Sequence, residues 1–306
     1  MTGKPRSLRI GTRSSALARY QTGLVALRLR ELSALDSELV VITSDGDLDV
    51  STPLPEIGGK GVFTEALERA LTDGTIDLAV HSLKDVPVEP TPGLCLAAIC
   101  MREDPRDVLI AAKPWTLATL PPGSVVGTCS TRRSAQLLAQ RPDLSIASLR
   151  GNVDTRVNKA LRGDYDAIVI AAAGVIRLGL GEAIREYLPL DKVTPAPGQG
   201  ALSIQCRESD EAIVRLVAAL DEPATRAATT AERAFLEGLG GGCAAPIAAH
   251  ARIVEDGALC LQGMVAAHAR APIVRVSTTG PVSSARELGL SLARQAAAAA
   301  AVELPA

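Results

Sequence analysis

Basic side chains recur in this sequence at one kind of position, directly after a predicted strand or at the start of the helix that follows it. Seven residues share this placement: Arg13, Lys60, Lys84, Arg132, Arg133, Arg150 and Arg156. Ligands of open α/β sheets bind beyond the carboxyl ends of the strands, where helix N-termini present free N–H groups and a positive dipole end. Any one of these cations alone is more often a solvated surface residue. Their shared placement favours a cleft that binds a ligand with several negative charges.

Asp85 is the acidic residue whose position best suits catalysis. It follows Lys84 after a short apolar segment, 76–80, and is expected to face the same cleft as the cations. Nearby positive charge keeps a carboxylate ionised, so that it can stabilise a developing cation or relay a proton. A salt bridge to Lys84 or a turn cap explains the spacing equally well.

Cys243 follows three glycines and precedes Pro246, which is typical of an exposed loop. A thiol in such a loop can act as a nucleophile or as a point of covalent attachment. Spacing alone favours the simpler interpretation, a small buried apolar residue. Cys129 lies in a basic turn, so residue type does not choose between the two cysteines.

Other classes of site receive little support from the sequence. The glycine-rich segment 58–61 lacks the Walker A spacing, which argues against nucleotide binding. The six cysteines include no C-x-x-C pair, and the three histidines are far apart in the chain, so no metal site is predicted.

Length and composition limit the class of protein. The chain has 306 residues, enough for two or three domains, and its net charge of −2 argues against a general nucleic-acid binder. No apolar run approaches the roughly 18 residues that span a bilayer, and no apolar stretch of the secretory type follows the N-terminal basic residues. A cytoplasmic location is therefore expected.

Strand and helix patterns alternate over the first two-thirds of the chain, in two blocks of similar build. This order predicts two α/β domains with parallel sheets and right-handed crossovers. The first helix starts at Ser14 or Ser15, and four apolar residues at helical spacing predict its buried face: Leu17, Tyr20, Leu24 and Leu27. The segment Ile184–Tyr187 reads as helix-like. The last third reads as helix, three strands and helix, with a hairpin at Asp256-Gly257, which predicts a small α+β domain.

Seven segments, in this order along the chain, resemble the porphobilinogen deaminases, a family also called hydroxymethylbilane synthases: 10–18 (IGTRSSALA), 58–61 (GGKG), 81–87 (HSLKDVP), 102–107 (REDPRD), 150–156 (RGNVDTR), 197–200 (PGQG) and 241–246 (GGCAAP). The resemblance runs from about residue 8 to the end of the chain. It implies an α/β fold of two periplasmic-binding-protein-like domains with a small C-terminal α+β domain. The implied domains are 1–100 plus 198–218, then 101–197, then 219–306. It also implies that residues 201–207 return to domain 1 as a strand, which the residue pattern alone does not reveal.

The reaction implied by the resemblance joins four porphobilinogen units head to tail with loss of ammonia, followed by hydrolysis. A dipyrromethane cofactor, held by a thioether to Cys243, is implied as the primer, with Asp85 as the catalytic carboxylate. The remaining family positions, implied to bind cofactor and substrate or to lie in the mobile loop and hinge, are Arg13, Ser15, Lys60, Phe63, Ser82, Lys84, Thr128, Ser130, Arg132, Arg133, Arg150, Asn152, Arg156, Arg177 and Gln199. Each porphobilinogen carries an acetate and a propionate, which fits a basic cleft in an acidic protein.

The resemblance also implies partners and an oligomeric state. Porphobilinogen is the expected substrate of a monomeric transferase, and the product passes to later enzymes of tetrapyrrole and heme biosynthesis. No nucleic-acid or membrane partner is expected. The alternative function is a non-catalytic two-domain protein that binds a polyanionic small molecule, which would need neither an attached cofactor nor Asp85.

Overall fold

The structure is a computed structural model that describes residues 7–43, 64–241 and 246–300. The chain divides into two compact units. Unit 1 comprises Met1–Arg102 and Ala201–Arg226, and unit 2 comprises Glu103–Gly200 and Ala227–Ala306. The boundaries predicted above for three domains stay a prediction. None of the helices among the described residues is both long and apolar enough to cross a membrane.

The strands and helices alternate along most of the chain. The strands are β1 Leu8–Thr12, β2 Ser37–Val41, β3 Leu78–Ser82, β4 Leu94–Cys100, β5 Asp107–Ile110, β6 Val125–Gly127, β7 Ser145–Ala147, β8 Ala167–Ala171, β9 Ile184–Tyr187, β10 Leu202–Arg207, β11 Ile247–Ile253, β12 Leu259–Val265 and β13 Val274–Gly280. The α-helices are α1 Ala16–Ser33, α2 Glu65–Thr72, α3 Thr131–Gln140, α4 Val153–Arg162, α5 Ala172–Arg177, α6 Glu211–Ala218, α7 Pro223–Gly238 and α8 Ala285–Ala300.

Unit 1 contains a mixed five-stranded sheet with the order β2-β1-β3-β10-β4. β1 is parallel to both of its neighbours, whereas β10 is antiparallel to β3 and to β4. The predicted parallel sheet is therefore wrong for the pairs that β10 forms, because the returning chain enters the sheet in the opposite direction. The strand implied at 201–207 is confirmed as β10, which lies between β3 and the edge strand β4 and is buried except at its last residue.

Helix α1 begins as predicted but packs through a different face. Ser15 is its N-cap, and the serine hydroxyl accepts a hydrogen bond from the backbone N–H of Ala18 at 3.3 Å. The buried residues are Gln21, Thr22, Val25 and Leu29. The predicted face is wrong, since Tyr20 is 46% and Leu27 is 55% exposed. Burying the polar Gln21 costs little because its amide bonds the Ser82 hydroxyl at 3.1 Å.

Unit 2 repeats this arrangement in the sheet β7-β6-β8-β5-β9. β6 is parallel to both of its neighbours, and β5 is antiparallel to β8 and β9. The two α/β blocks of similar build are thus confirmed, again with mixed rather than parallel sheets. The helix-like interpretation of Ile184–Tyr187 is wrong. This segment is edge strand β9, whose residues alternate between half-buried and exposed, the two-residue period of a strand.

The C-terminal part of unit 2 is the predicted α+β structure. The antiparallel sheet β11-β12-β13 packs on α7 and α8 through one apolar cluster centred on Phe235. Asp256-Gly257 forms the predicted turn between β11 and β12, with Gly257 at φ +80°. Gly263 in β12 allows the Phe235 ring to approach, since a Cβ there would overlap the ring. The expected fold class, two α/β domains and a small α+β domain, is confirmed.

Candidate active site

The described residues of unit 1 form a small pocket at the edge of the sheet where β1 and β3 end. Arg13 directly follows β1, and Asp85 lies shortly after β3. Both line the pocket, together with Ala18, Gln21, Thr64, Val80, His81 and Ser82. The parallel arrangement of β1 and β3 brings their carboxyl ends to one edge, as the sequence argument requires. An arginine and an aspartate predicted from separate motifs therefore meet in one pocket.

Asp85 is presented by a short, well-anchored turn. Residues Leu83–Asp85 form a single 3-10 turn directly after β3. Leu83 is fully buried, and its backbone N–H bonds the carbonyl of Ala201 at 3.0 Å. The side chains of Lys84 and Asp85 are exposed. A buried leucine thus fixes the backbone while the two charged side chains remain accessible to a ligand.

The sequence analysis missed three polar residues that line this pocket. Gln21 and Thr64 are buried, and Gln21 bonds Ser82 across the pocket wall. His81 is buried as well, with its Nε2 2.9 Å from the side-chain oxygen of Gln205. Buried positions are predicted from the spacing of apolar residues. A polar residue at a buried position does not contribute to that spacing, so the apolar pattern gave no signal for it.

In unit 2, three of the predicted arginines are buried, and for Arg132 and Arg133 the solvated-surface interpretation is therefore wrong. Arg132 and Arg133 lie in the first turn of α3, 5% and 7% exposed, and Arg177 ends α5 at 7% exposure. Ser130, the N-cap of α3, accepts a hydrogen bond from the Arg133 backbone at 3.4 Å. Thr128 directly follows β6 and accepts from the Ser130 backbone at 3.2 Å.

The buried arginines surround a carboxylate that the sequence analysis did not select, Asp107 in β5. Its oxygens accept from Arg132 Nη1 at 2.7 Å and from Arg133 Nη2 at 2.8 Å. Burial alone would raise the pKa of Asp107, but the two guanidinium charges and their hydrogen bonds outweigh burial and hold this pKa well below its usual range. The carboxylate is therefore ionised and fixes both arginines in place.

Two guanidinium nitrogens among the described residues of unit 2 have no hydrogen-bond partner there. Arg133 Nε and Arg150 Nη1 are buried and form no hydrogen bond within the part of the chain that the structure describes. An unsatisfied buried donor costs about 1–3 kcal/mol. Such donors are typical of a site that is completed by an anionic ligand.

The turn before α4 holds the other predicted residues of this region. Gly151, at φ +111°, separates Arg150 from Asn152, which is exposed at the N-cap of α4. Arg156, one turn into the helix, donates from Nε to the Gly151 carbonyl at 2.6 Å. The helix N-terminus and two arginines therefore lie together, as an anion site requires.

The family motif PGQG at 197–200 is anchored within unit 2 by side-chain bonds. Gln199 is fully buried and donates to the Pro105 carbonyl at 2.7 Å and to Asp107 at 2.9 Å. Arg177 donates to the Gly200 carbonyl at 2.8 Å. Gln199 and Arg177 thus hold the motif from two sides, and Gln199 shares its carboxylate with the two arginines of α3.

Three predicted site residues lie outside the described residues: Lys60, Phe63 and Cys243. Their roles stay predictions. Asp107 could have been suspected from sequence only by its place in the motif REDPRD at 102–107, since a lone aspartate gives no sign of the arginines that it will meet.

Comparison with known proteins identifies relatives over nearly the whole chain. Residues 8–215 match the family model for the porphobilinogen deaminase dipyrromethane cofactor binding domain, and residues 227–298 match the model for the porphobilinogen deaminase C-terminal domain. Porphobilinogen deaminase from Syntrophotalea carbinolica is 49% identical over 94% of this chain and 91% of the relative. The same enzyme from Syntrophus aciditrophicus is 46% identical over 94% of each chain.

Among solved structures, a periplasmic substrate-binding protein of an ABC transporter from Coxiella burnetii is similar, with 15% identity and a TM-score of 0.45. The similarity covers 72% of this chain and 94% of that chain. The family models and the two curated relatives agree with each other and with the motifs in the sequence. The chain belongs to the porphobilinogen deaminase family.

Proposed function

We infer that the chain is a transferase of tetrapyrrole biosynthesis, a hydroxymethylbilane synthase. It joins four porphobilinogen molecules head to tail, releases ammonia at each addition and frees hydroxymethylbilane by hydrolysis. Family membership over residues 8–215 and 227–298 supports this function. The structural observation that carries it is the pair of buried donors on Arg133 and Arg150 that have no acceptor among the described residues, because the acetate and propionate groups of pyrrole ligands supply the acceptors that these donors need.

The residues of unit 2 fit the dipyrromethane cofactor of the family. Arg133 Nε and Arg150 Nη1 bond no acceptor within the described residues, and guanidinium groups bind carboxylates through paired N–H bonds. Ser130 and Thr128 add hydroxyl groups at the N-terminus of α3, where the helix dipole favours negative charge. When bound, the cofactor supplies the pyrrole carbon to which new units are added.

The proposed attachment point is Cys243, through a thioether. The proposal rests on the segment 241–246 (GGCAAP), which carries the family resemblance. The purified protein should be heavier than its sequence by two pyrrole units, and Cys243→Ser should remove this excess. Cys129→Ser is the matched control and should retain the excess. A sequence-predicted mass in wild-type protein that turns over substrate would contradict the attachment.

The proposed catalytic group is Asp85. Its carboxylate lies on an anchored turn beside Arg13, where it can stabilise the positive charge that develops on a pyrrole nitrogen as ammonia leaves. We expect Asp85→Asn to keep the excess mass and to lower turnover by about 10²–10⁴-fold. Glu89→Gln, at an exposed residue just after the turn, is the control for loss of a nearby carboxylate. Near-normal turnover by Asp85→Asn would contradict the role.

The remaining site residues are proposed to bind cofactor and substrate carboxylates or to shape the site. This set comprises Arg13, Ser15, Lys60, Phe63, Ser82, Lys84, Thr128, Ser130, Arg132, Arg133, Arg150, Asn152, Arg156, Arg177 and Gln199. We expect Arg150→Ala to weaken cofactor assembly or chain growth, because it removes one of the two unpartnered donors. Unchanged mass and kinetics would return Arg150 to a structural role.

One assay tests the function as a whole. Purified protein is incubated with porphobilinogen, and ammonia release is compared with the tetrapyrrole formed. Four ammonia molecules per product are expected. A protein that binds porphobilinogen without releasing ammonia would instead be the non-catalytic polyanion binder, which the family comparisons do not favour. A cytoplasmic location, a monomeric state and transfer of the product to later tetrapyrrole enzymes complete the proposal, and gel filtration tests the monomer.

A further inference from the structure

Four polar side chains form a column on one face of the unit 1 sheet, beside α2. They are His81 of β3, Ser203 and Gln205 of β10, and Glu68 of α2. His81 lies directly opposite Ser203 in the antiparallel register, and Gln205 lies two residues further along β10, so it points to the same face. All three strand residues are buried. Polar groups at the centre of a sheet are costly to bury unless a hydrogen-bond network satisfies them. A buried column of this kind is therefore a candidate for a functional role.

The hydrogen bonds of the column fix the tautomer of His81. Gln205 donates from Nε2 to the Glu68 carboxylate at 3.0 Å, and a carboxylate only accepts. The Gln205 amide oxygen therefore faces the other way, where it lies 2.9 Å from His81 Nε2. An amide oxygen cannot donate, so Nε2 carries the ring proton. In the neutral ring Nδ1 is then an acceptor.

Burial keeps the ring neutral. Desolvation lowers the pKa of His81 to about 4, against a smaller opposing effect of the Gln205 bond. Of the nearby charged groups, Asp85 raises this pKa and Arg13 lowers it. Glu68, the carboxylate of the column, accepts a hydrogen bond from Gln205, and Gln205 in turn bonds the ring. At neutral pH the ring is therefore an uncharged acceptor.

His81 lines the pocket that also contains Arg13 and Asp85. The bond to Gln205 is the one hydrogen bond that the ring forms among the described residues, and it uses Nε2. The hydroxyl of Ser203, opposite His81 in the register, is also buried without a partner there. Within the described residues, His81 Nδ1 thus keeps unused hydrogen-bonding capacity on a ring that lines the same pocket as the proposed catalytic carboxylate.

We propose that His81 is a further substrate-binding residue, whose Nδ1 accepts a hydrogen bond from an N–H group of the pyrrole substrate, with Gln205 and Glu68 as positioning residues. This proposal rests on the proposed function. A neutral acceptor suits the pocket better than a second carboxylate, because it orients an N–H group without repelling the acidic side chains of the substrate. Asp85 then stabilises the developing charge, and His81 sets the orientation of the ring that carries it.

The first test measures the tautomer directly in the wild-type protein. Protein labelled with ¹⁵N-histidine contains only His81, His250 and His268, so His81→Asn assigns its signals by difference. At pH 7 we expect a neutral His81 with the proton on Nε2. A proton on Nδ1, or a doubly protonated ring, would overturn the proposal whatever the activity.

The second test separates the two nitrogens by substitution. His81→Asn keeps an oxygen acceptor near the position of Nδ1, whereas His81→Gln keeps only an amide near Nε2. We expect His81→Gln to lower kcat/KM on the order of tenfold, the equivalent of one lost hydrogen bond, and His81→Asn to recover most of it. Equal values for the two variants, or wild-type kinetics in His81→Gln, would overturn the proposal.

The third test acts at a distance from the substrate. Glu68→Gln lets the Gln205 amide reverse, so that its NH₂ group donates to His81 Nε2 and the ring proton moves to Nδ1. We expect the ¹⁵N signals of His81 to show the proton on Nδ1, and we expect kcat/KM to be lower than in the wild-type protein. Glu65→Gln, an exposed carboxylate on the same helix, is the control and should leave both unchanged. A shifted tautomer with full activity would refute the proposal, whereas a wild-type protein that releases no ammonia would refute the proposed function instead.

Discussion

Replacing Asp107 with asparagine tests whether the buried ion cluster of unit 2 is held by this one carboxylate. Asp107 is completely buried, and its oxygens accept three bonds at 2.7–2.9 Å from Arg132, Arg133 and Gln199. The asparagine side chain has nearly the same shape but only one oxygen. Its NH₂ group would face a guanidinium donor, and the two arginines would lose their internal counter-charge.

The expected cost follows from this geometry. Breaking a buried ion pair by removal of one partner destabilises a protein by about 3–5 kcal/mol, because the remaining charge stays buried without compensation. A typical domain has about 5–15 kcal/mol of unfolding free energy, so the loss is a large fraction of the total. The folded pKa of Asp107 lies below its unfolded value, so this stabilisation is present above an unfolded carboxyl pKa of about 4 and is lost as the pH falls below it.

Urea titration followed by fluorescence measures this change in the right part of the molecule. Trp115 is the one tryptophan of the chain, and it packs on the unit 2 cluster that contains Val126 and Leu137. Asp143→Asn is the matched control, since Asp143 also binds an arginine through two bonds but at the surface. Surface pairs contribute little. An Asp107→Asn variant that loses no more stability than Asp143→Asn would refute the reasoning.

Three further outcomes follow from buried groups elsewhere in the chain. Because the folded pKa of His81 is about 4 against 6.5 in the unfolded chain, the unfolded state binds more protons, and the unfolding free energy should fall by about 2 kcal/mol between pH 7 and pH 5. Urea titrations of His81→Gln should lack this part of the slope, and an unchanged slope would contradict the burial of the ring. Burial and the neighbouring Cys95 raise the pKa of Cys206 from 9.0 to about 12, so iodoacetamide should label Cys206 about a thousandfold more slowly in the native than in the unfolded protein, as followed by peptide mass. Glu232 accepts backbone bonds from Gly198 and from Ala251, both at 2.7 Å, and Glu232→Gln should cost about 1–3 kcal/mol in urea because one N–H loses its acceptor.

The sequence predicted those parts of the fold that depend on local patterns. Strands such as Ala167–Ala171 are continuous apolar runs, and helices such as Val153–Arg162 have apolar residues at helical spacing and a glycine at the end. The short strand Asp107–Ile110 was not predicted, because four residues contain too few repeats to show a period. The return of the chain to unit 1 as β10 was available only from the family resemblance, and its antiparallel direction was not predicted, since strand direction depends on the path of the chain rather than on composition.

Helix α1 shows why a correct helix can be given the wrong face. Its apolar residues Tyr20 and Leu27 are largely exposed, while Gln21 and Thr22 are buried. The helix orientation follows from tertiary contacts, among them the bond from Gln21 to Ser82, which an apolar period cannot represent. The candidate site shows the same limit. The placement of basic residues directly after strands located Arg13 and Arg132, but it gave no sign of His81 or Asp107, which are neither basic residues after a strand nor part of an apolar pattern.

The ion cluster of unit 2 also explains how a buried aspartate can coexist with an anion site. One carboxylate neutralises one of the two charges of Arg132 and Arg133, so the cluster keeps a net positive charge inside the protein. The N-terminus of α3, capped by Ser130, adds the positive end of a helix dipole at the same place. Arg133 Nε has no acceptor in the part of the chain that the structure describes. Asp107 therefore orients the arginines without saturating them, and the acidic ligand proposed above would satisfy both the remaining charge and the remaining donor.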